Sequence, residues 1–299
     1  MIIILLIIFT FLFLHTIQTV RFLIGHFFET EEINDMVKLD MSVWQQIPND
    51  QISKRKIPRY IHQIWISSNN KNMTEKFRKA AESCIELNSN YNYTLWTHKK
   101  ILVWLQTEYS WFLPLYKNYK YDMQRIDAMK YLLLFHFGGA YIDLDIKCNV
   151  QDIITAMIPT NQTDYEPDII LHMGTEGISA NTDIMISKQH HPFFKLAVHR
   201  LKSANRWFYL YHLTIILSAG PTFLYGIYRT YPFKDNFYYI PNNLLWGKLF
   251  DGVGGGTWYG NDTLLLIYVM ENKSLLCFII FIVIISLSYV YKVWKRIHY

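Results

Sequence analysis

Two aspartates, Asp143 and Asp145, stand one residue apart in the stretch FHFGGAYIDLDIKCN, residues 135–149. Read as an extended strand, AYIDLDIKC puts both acids on one side and Ile142, Leu144 and Ile146 on the other. Carboxylates that close repel each other, and apolar strands rarely carry them without a partner. A divalent cation removes the conflict, and carboxylate oxygens suit a hard ion such as Mn²⁺ or Mg²⁺. Such an ion can hold a diphosphate and neutralise charge as that diphosphate leaves. An Asp-x-Asp alone is a weak signal, because one arises by chance in a chain of this length. Context strengthens it. A helix bearing Arg125 and Asp127 runs into Gly138–Gly139 and then directly into the acidic strand. The glycines would let another backbone or a ligand come close.

The elements that must position these acids can be read from periodicity. IPRYIHQIWI, residues 57–66, is β-branched and aromatic and predicts a first core strand. TEKFRKAAESCIELN predicts a helix with Thr74 as its cap. YNYTLWT predicts a second strand and HKKILVWLQTEY a second helix. This β-α-β-α order predicts a mostly parallel sheet with covering helices. The next helix spans residues 121–137, with Met123, Ile126, Met129, Leu133 and Phe137 forming an apolar face and the glycines ending it. A loop over 149–166, a strand at DIILHM and a helix at HPFFKLAVHRLKSA follow. Residues 205–250 are rich in aromatics and carry no clear period.

RIDAMKYLLLFHFGGAYIDLDIKC resembles the core of glycosyltransferase family 32, in which an R-x-D helix precedes G-G-x-Y-x-D-x-D. IPRYIHQIWI resembles that family's first strand. HPFF and SAGPTFL resemble further family blocks, and GGGTWYGND, residues 254–262, resembles its C-terminal active-site loop. Together these stretches cover most of residues 57–262.

The resemblance implies an α/β GT-A fold with a Rossmann-like nucleotide half. It implies that Asp145 ligates the metal directly, and that Asp143 contacts it, through water or otherwise, or reaches the donor's ribose. Trp65 and the strand around His62 would line the base pocket, core packing being the other reading. Asp127 would hydrogen-bond the donor sugar or ribose, and Arg125 would orient the donor or form a salt bridge. Asn181 and Asp183 are further polar candidates for the sugar, or members of a strand-end turn. Two positions depart from the family pattern. Lys130 stands where arginine is common, keeping the charge without the planar fork. Trp258–Tyr259 stands where Trp-His is usual. Trp258 would still donate its indole N–H to the β-phosphate, but Tyr259 offers no neutral nitrogen. Asn261 and Asp262 lie close by in sequence.

Both ends of the chain are apolar. Residues 2–14 carry no charge, and neither do residues 275–291, which as a helix would be about 26 Å long, near the lower limit for a bilayer. Lys292, Lys295 and Arg296 follow at once, which places the C-terminus in the cytosol and the middle of the chain in the lumen. Sequons at Asn72, Asn92, Asn161, Asn261 and Asn272 fit a lumenal domain. The expected layout is an anchor at 1–20, or a signal peptide there, a stalk at 21–56, a GT-A domain at 57–270, a membrane helix at 274–291 and a basic tail at 292–299. So short a span suits a Golgi or endoplasmic reticulum membrane. Cys84 and Cys148 form a disulfide in that setting or remain two buried thiols. A net charge of +5 without a long basic run gives no footprint for nucleic acid.

Two terminal spans around such a core are similar to the fungal catalytic subunits that mannosylate inositol phosphoceramide. That branch implies GDP-mannose as donor, a lipid acceptor, transfer with retained α-configuration and a regulatory membrane subunit. The competing readings are an α-1,6-mannosyltransferase of glycan chains or another hexosyltransferase of the family, and a non-catalytic regulatory or lectin-like subunit on a decayed enzyme fold. The intact acidic pair argues against decay.

Overall fold

The computed structural model describes residues 14–26, 57–67, 72–158, 167–173, 180–256, 259–272 and 274. The predicted stalk beyond residue 26, the apolar runs 2–13 and 275–291, the basic tail and Trp258 lie outside them. Among the described residues no helix is long and apolar enough to cross a membrane.

Residues 14–26 form a helix, α1. It continues through Val20 into Arg21–His26, so the first residues assigned to the stalk are helical. Then follow β1 (Tyr60–Trp65), α2 (Glu75–Leu87), β2 (Asn92–Thr97), α3 (His98–Glu108), α4 (Leu113–Asn118) and α5 (Asp122–Phe137). After them come β3 (Gly139–Ile142), β4 (Ile146–Cys148), α6 (Ile153–Met157), β5 (Ile169–Met173), β6 (Ala180–Ser187) and α7 (Pro192–Ala204). The chain closes with α8 (Tyr211–Ser218), α9 (Pro221–Thr230), β7 (Phe237–Ile240), α10 (Asn242–Leu245), β8 (Phe250–Gly252) and α11 (Asn261–Glu271). The chain divides into two compact units, residues 1–208 with 214–255, and residues 209–213 with 256–299.

The main sheet has the order β2-β1-β3-β6-β5-β7. β1 pairs in parallel with both β2 and β3, β5 pairs in parallel with β7, and β6 runs antiparallel to both β3 and β5. The sheet is therefore mixed, with β6 alone reversed, where the sequence predicts only a mostly parallel one. Strand alternation splits the core between two faces. Ile61, Ala140, Ile142, Ile184 and Ile186 pack on one side, and Ile64, Tyr141 and Met185 on the other with α5 and α7. The chain steps from β1 to β2 on one side and to β3 on the other. This reversal opens a crevice beyond the carboxyl ends of β1 and β3, where open α/β sheets bind ligands.

α5 is buried more completely than its apolar stripe predicts. Residues 127–134 are all buried, including Asp127 and Lys130, while Met123, Ile126 and Phe137 are only partly covered. Gly138 and Gly139 have φ of 65° and 85°. A Cβ on Gly138 would lie 2.7 Å from the Gln189 nitrogen, and one on Gly139 2.7 Å from the Tyr60 carbonyl oxygen. What the glycines admit is thus neighbouring backbone, at the opposite end of β3 from the acids. Cys84 of α2 and Cys148 of β4 form a disulfide.

Candidate active site

The acidic pair does not sit on one continuous strand. β3 ends at Ile142, Asp143 to Asp145 turn, and β4 begins at Ile146, whose N–H donates to the Asp143 carbonyl at 3.2 Å. Leu144 anchors the turn by packing with Phe77 and Ala81, and half-buried Trp65, Leu95 and Val253 join them. The Asp143 N–H donates to the Asp183 carbonyl at 2.8 Å, and the Val253 N–H donates to the Asp145 carbonyl at 2.8 Å. The turn is thereby tied to β6 on one side and to the segment after β8 on the other.

Below the turn lies a buried charge network. Lys130 is 1% exposed, and its Nζ lies 3.0 Å from both Asp127 Oδ1 and Asp143 Oδ1. Its ammonium also sits 4.9 Å from the centre of the Tyr141 ring. Tyr141, two residues before Asp143 and on the same face, donates its hydroxyl to Asp143 Oδ1 at 2.6 Å. Burial pushes the Asp143 carboxyl up to about 7; Lys130 opposes this and the neighbouring Asp145 adds to it. Burial likewise raises Asp145, against the pull of Lys130, with Asp183 raising it further. Burial also raises Asp127, and Lys130 opposes it. Lys130 itself is held protonated, because its two carboxylates outweigh the burial that would discharge it.

These charges fit a hard cation. Asp145 and Asp183 both raise Asp143, and Asp183 also raises Asp145, so carboxylates crowd one another at the mouth of the crevice. A Cβ on Gly255 would fall 2.2 Å from Asp145 Oδ2, so the missing side chain makes a space for that carboxylate. Among the described residues no three His, Cys, Asp or Glu side chains converge to hold a metal by themselves. A donor set of one or two carboxylates, completed by substrate phosphates, is how Mg²⁺-like ions are commonly held. Asp143 and Asp145 are the residues that would hold it.

Arg125 and Asp127 lie two apart on a helix and so face different ways. Asp127 points under β3, where Thr182 Oγ1 donates to it at 3.5 Å, and it is 3% exposed. It meets the crevice through Lys130 and Asp143. Arg125 pairs with Asp122 at 3.0 Å and donates to the Tyr119 carbonyl. Both line a hollow of about 320 Å³ past the end of β1, with Ile66, Ser67, His98 and Tyr116. Trp65, the last residue of β1, packs edge-on against Phe77 at 6.2 Å. His62 takes the core-packing alternative. It is 1% exposed, accepts from Trp96 Nε1 at 3.2 Å, and contacts the Gly138 carbonyl at 3.1 Å through Nε2. Its strand parity turns it into the aromatic core beside Phe137.

Asn181 and Asp183 belong to β6, not to a turn at its end. Asp183 Oδ1 lies 3.2 Å from His172 Nδ1, and Asn181 Nδ2 lies 3.1 Å from the same nitrogen. His172 Nε2 reaches Asn242. Burial would lower the His172 pKa, but its hydrogen bond to Asp183 leads the opposing effects that leave it raised. His172 carries no motif, and its one sequence signal is a lone histidine on the predicted strand DIILHM. Lys76 has no signal beyond its place on the predicted helix. It donates to the Gly254 carbonyl at 3.0 Å and acts electrostatically on Asp145. In the second unit, Tyr259 is half exposed and packs edge-on against His212 at 6.2 Å. Asp262 accepts from the His212 N–H at 2.7 Å and from the Thr263 N–H at 2.9 Å, and Asn261 begins α11.

A turn bearing two acids stands at the strand ends of a mixed α/β sheet, where such sheets bind ligands, and comparisons with known proteins give its class. Residues 74–164 match the family model described as the glycosyltransferase sugar-binding region containing the DXD motif. Inositol phosphoceramide mannosyltransferase 1 of Schizosaccharomyces pombe is 32% identical over 236 residues, which are 76% of this chain and 70% of that protein. Mannosyl phosphorylinositol ceramide synthase SUR1 of Saccharomyces cerevisiae is 34% identical over 176 residues, 58% of this chain and 42% of that one. Among solved structures, the PaToxG glycosyltransferase superposes with a TM-score of 0.44 at 18% identity, covering 68% of this chain and 81% of its own. The chain belongs to the DXD-containing glycosyltransferases of family 32. It is a glycosyltransferase.

Proposed function

We propose that this enzyme transfers mannose from GDP-mannose to the inositol of inositol phosphoceramide, with Mn²⁺ or Mg²⁺ bound at Asp143 and Asp145. The observation that carries the reading is the acidic turn at the crevice between β1 and β3, with Lys130 fixing Asp143 from below. The names of the relatives support the sugar and the lipid acceptor. When bound, the ion supplies neutralising charge to the departing diphosphate. Asp145, seated against Gly255, and Asp143, held by Lys130 and Tyr141, keep their carboxylates in place without reorganisation. Lys76 adds a cation at the rim, beside the Gly254 carbonyl.

The hollow beside Ile66, Asp122 and Arg125 suits the nucleoside end of the donor. The Cys84–Cys148 disulfide supports an oxidising lumen, and with the apolar termini it supports a Golgi or endoplasmic reticulum membrane location. A regulatory membrane subunit is part of the same proposal.

Incubation of the purified full chain with radiolabelled GDP-mannose and inositol phosphoceramide tests this. Labelled lipid should form with Mn²⁺, stop with EDTA and fall to background in Asp145→Asn. Turnover of UDP-sugars but not GDP-mannose would overturn the donor, and transfer to soluble mannosides but not the lipid would overturn the acceptor.

A further inference from the structure

A second cluster of charge, made of arginines, lies between α1 and α7 and shares no residue with the acidic turn. A cleft of about 580 Å³ separates α1 from the C-terminal half of α7 and is lined by Gln18, Arg21, Phe22, His26, Arg200 and Arg206, among others. It gathers arginines from both walls, and none of its lining residues is acidic. The walls are fixed by packing. Phe22 lies 5.9 Å from Phe208, and His26 stacks on Phe223 at 5.2 Å while its Nε2 meets the Phe223 carbonyl at 2.9 Å. The Arg206 guanidinium lies 5.1 Å over the Phe22 ring and donates through Nε to the Ser203 carbonyl at 2.8 Å. Stacking of this kind orients the fork of a guanidinium.

The surroundings of the cleft are apolar and exposed. Leu14, Val20 and Ile24 of α1 are 53%, 48% and 48% exposed, and Trp207, next to Arg206, is 44% exposed. In sequence, α1 directly continues the uncharged run 2–14. Arginines beside exposed aliphatic and indole side chains are the makeup of a surface that meets lipid headgroups and the adjoining acyl region together. Guanidinium groups bind phosphate oxygens in pairs.

We propose that this cleft binds the phosphate of an anionic membrane phospholipid, with α1 and Trp207 lying against its hydrocarbon. The site shares no lining residue with the acidic turn, and the proposal stands whichever sugar the enzyme transfers.

The test uses the purified full chain in neutral detergent, titrated with dioctanoyl phosphatidylinositol, dioctanoyl phosphatidylcholine or inorganic phosphate, with binding read by calorimetry. Wild type should bind the phosphatidylinositol saturably and the phosphatidylcholine far more weakly. An Arg200→Gln/Arg206→Gln double variant should bind the anionic lipid roughly tenfold or more weakly, with metal-dependent hydrolysis of the donor unchanged. Arg21→Gln, on an exposed position of the other wall, should weaken it as well and guards against a folding defect in the double variant. Equal binding by the variants overturns the site. Inorganic phosphate binding as tightly as the lipid makes it a simple anion site and overturns the lipid assignment. Loss of donor hydrolysis in the wild type would sink the transferase reading alone.

Discussion

The buried Lys130 ammonium lies 3.0 Å from the partly exposed Asp143 carboxylate and equally 3.0 Å from buried Asp127. The lysine thus joins the helix motif to the acidic turn. Removing one partner of such a pair leaves an uncompensated buried charge and costs about 3–5 kcal/mol. Lys130→Met should lower the unfolding free energy measured with urea by that amount and abolish donor turnover, since Asp143 loses its support. Lys130→Arg retains the charge in a crowded site, and overpacking there costs about 1–3 kcal/mol. It should lie between wild type and Lys130→Met in both readouts. Equal stability of Lys130→Met and wild type would show that the pair does not hold the turn.

Gly255 is matched to Asp145 in the same spirit. Its conformation is open to any residue, yet an added Cβ would come within 2.2 Å of Asp145 Oδ2, whereas at Gly252 it would meet nothing within 4 Å. Asp145 can swing away at little cost in stability, but its carboxylate then leaves its place. Gly255→Ala should keep the wild-type melting temperature and lose donor turnover by roughly tenfold to a hundredfold, the scale of a misplacement near 1 Å. Gly252→Ala should be neutral in both. A Gly255→Ala enzyme of full activity would remove the argument for a preset Asp145.

The parts of this site that sequence reveals are those carried by local pattern. β1, α2, β2, α3 and α5 follow from hydrophobic periodicity, and Asp143 and Asp145 stand out because acids interrupt an apolar run. The turn between them was legible in principle, since aspartate favours turns, but the β-branched flanks on both sides favour reading through. Asp127 and Lys130, three apart on a helix, are a visible ion-pair spacing; what hides their role is that both are buried, which depends on β6 and α7 arriving from far along the chain. The pairing of β4 with β8 joins Cys148 to Phe250, and nothing local in either stretch announces it. The same holds for the hollow beside Arg125, assembled from three helices and the segment that follows β1.

The Cys84–Cys148 disulfide ties β4, which leaves the acidic turn directly, to α2. Their separation of 64 residues gives a large closed loop, for which the chain-entropy estimate is about 4 kcal/mol. A Cys84→Ala/Cys148→Ala double variant should unfold at clearly lower urea than wild type, and dithiothreitol should lower the wild type to match it. Because α2 also carries Phe77, which packs on Leu144, donor turnover should fall before the whole domain unfolds. An unchanged urea midpoint under reducing conditions would show that packing alone fixes β4.

Acid should unfold the domain partly through His62. Its Nδ1 accepts the Trp96 indole N–H at 3.2 Å, so a proton there would set two donors against each other in the core. Burial holds its pKa down to about 4, with the Gly138 carbonyl opposing. The folded state therefore keeps His62 neutral while the unfolded chain takes up a proton near pH 6.5. The sign follows from that difference in bound protons: stability is complete above about pH 6.5 and falls as the pH drops towards 4, by as much as about 3 kcal/mol from this residue. His26 and His191 are depressed to about 4 as well, so the wild-type decline is shared. In His62→Gln, which cannot titrate, unfolding free energy measured by urea at intervals from pH 7 to pH 4.5 should decline less steeply than in wild type. Parallel declines in the two proteins would mean that His62 is not kept neutral by the fold.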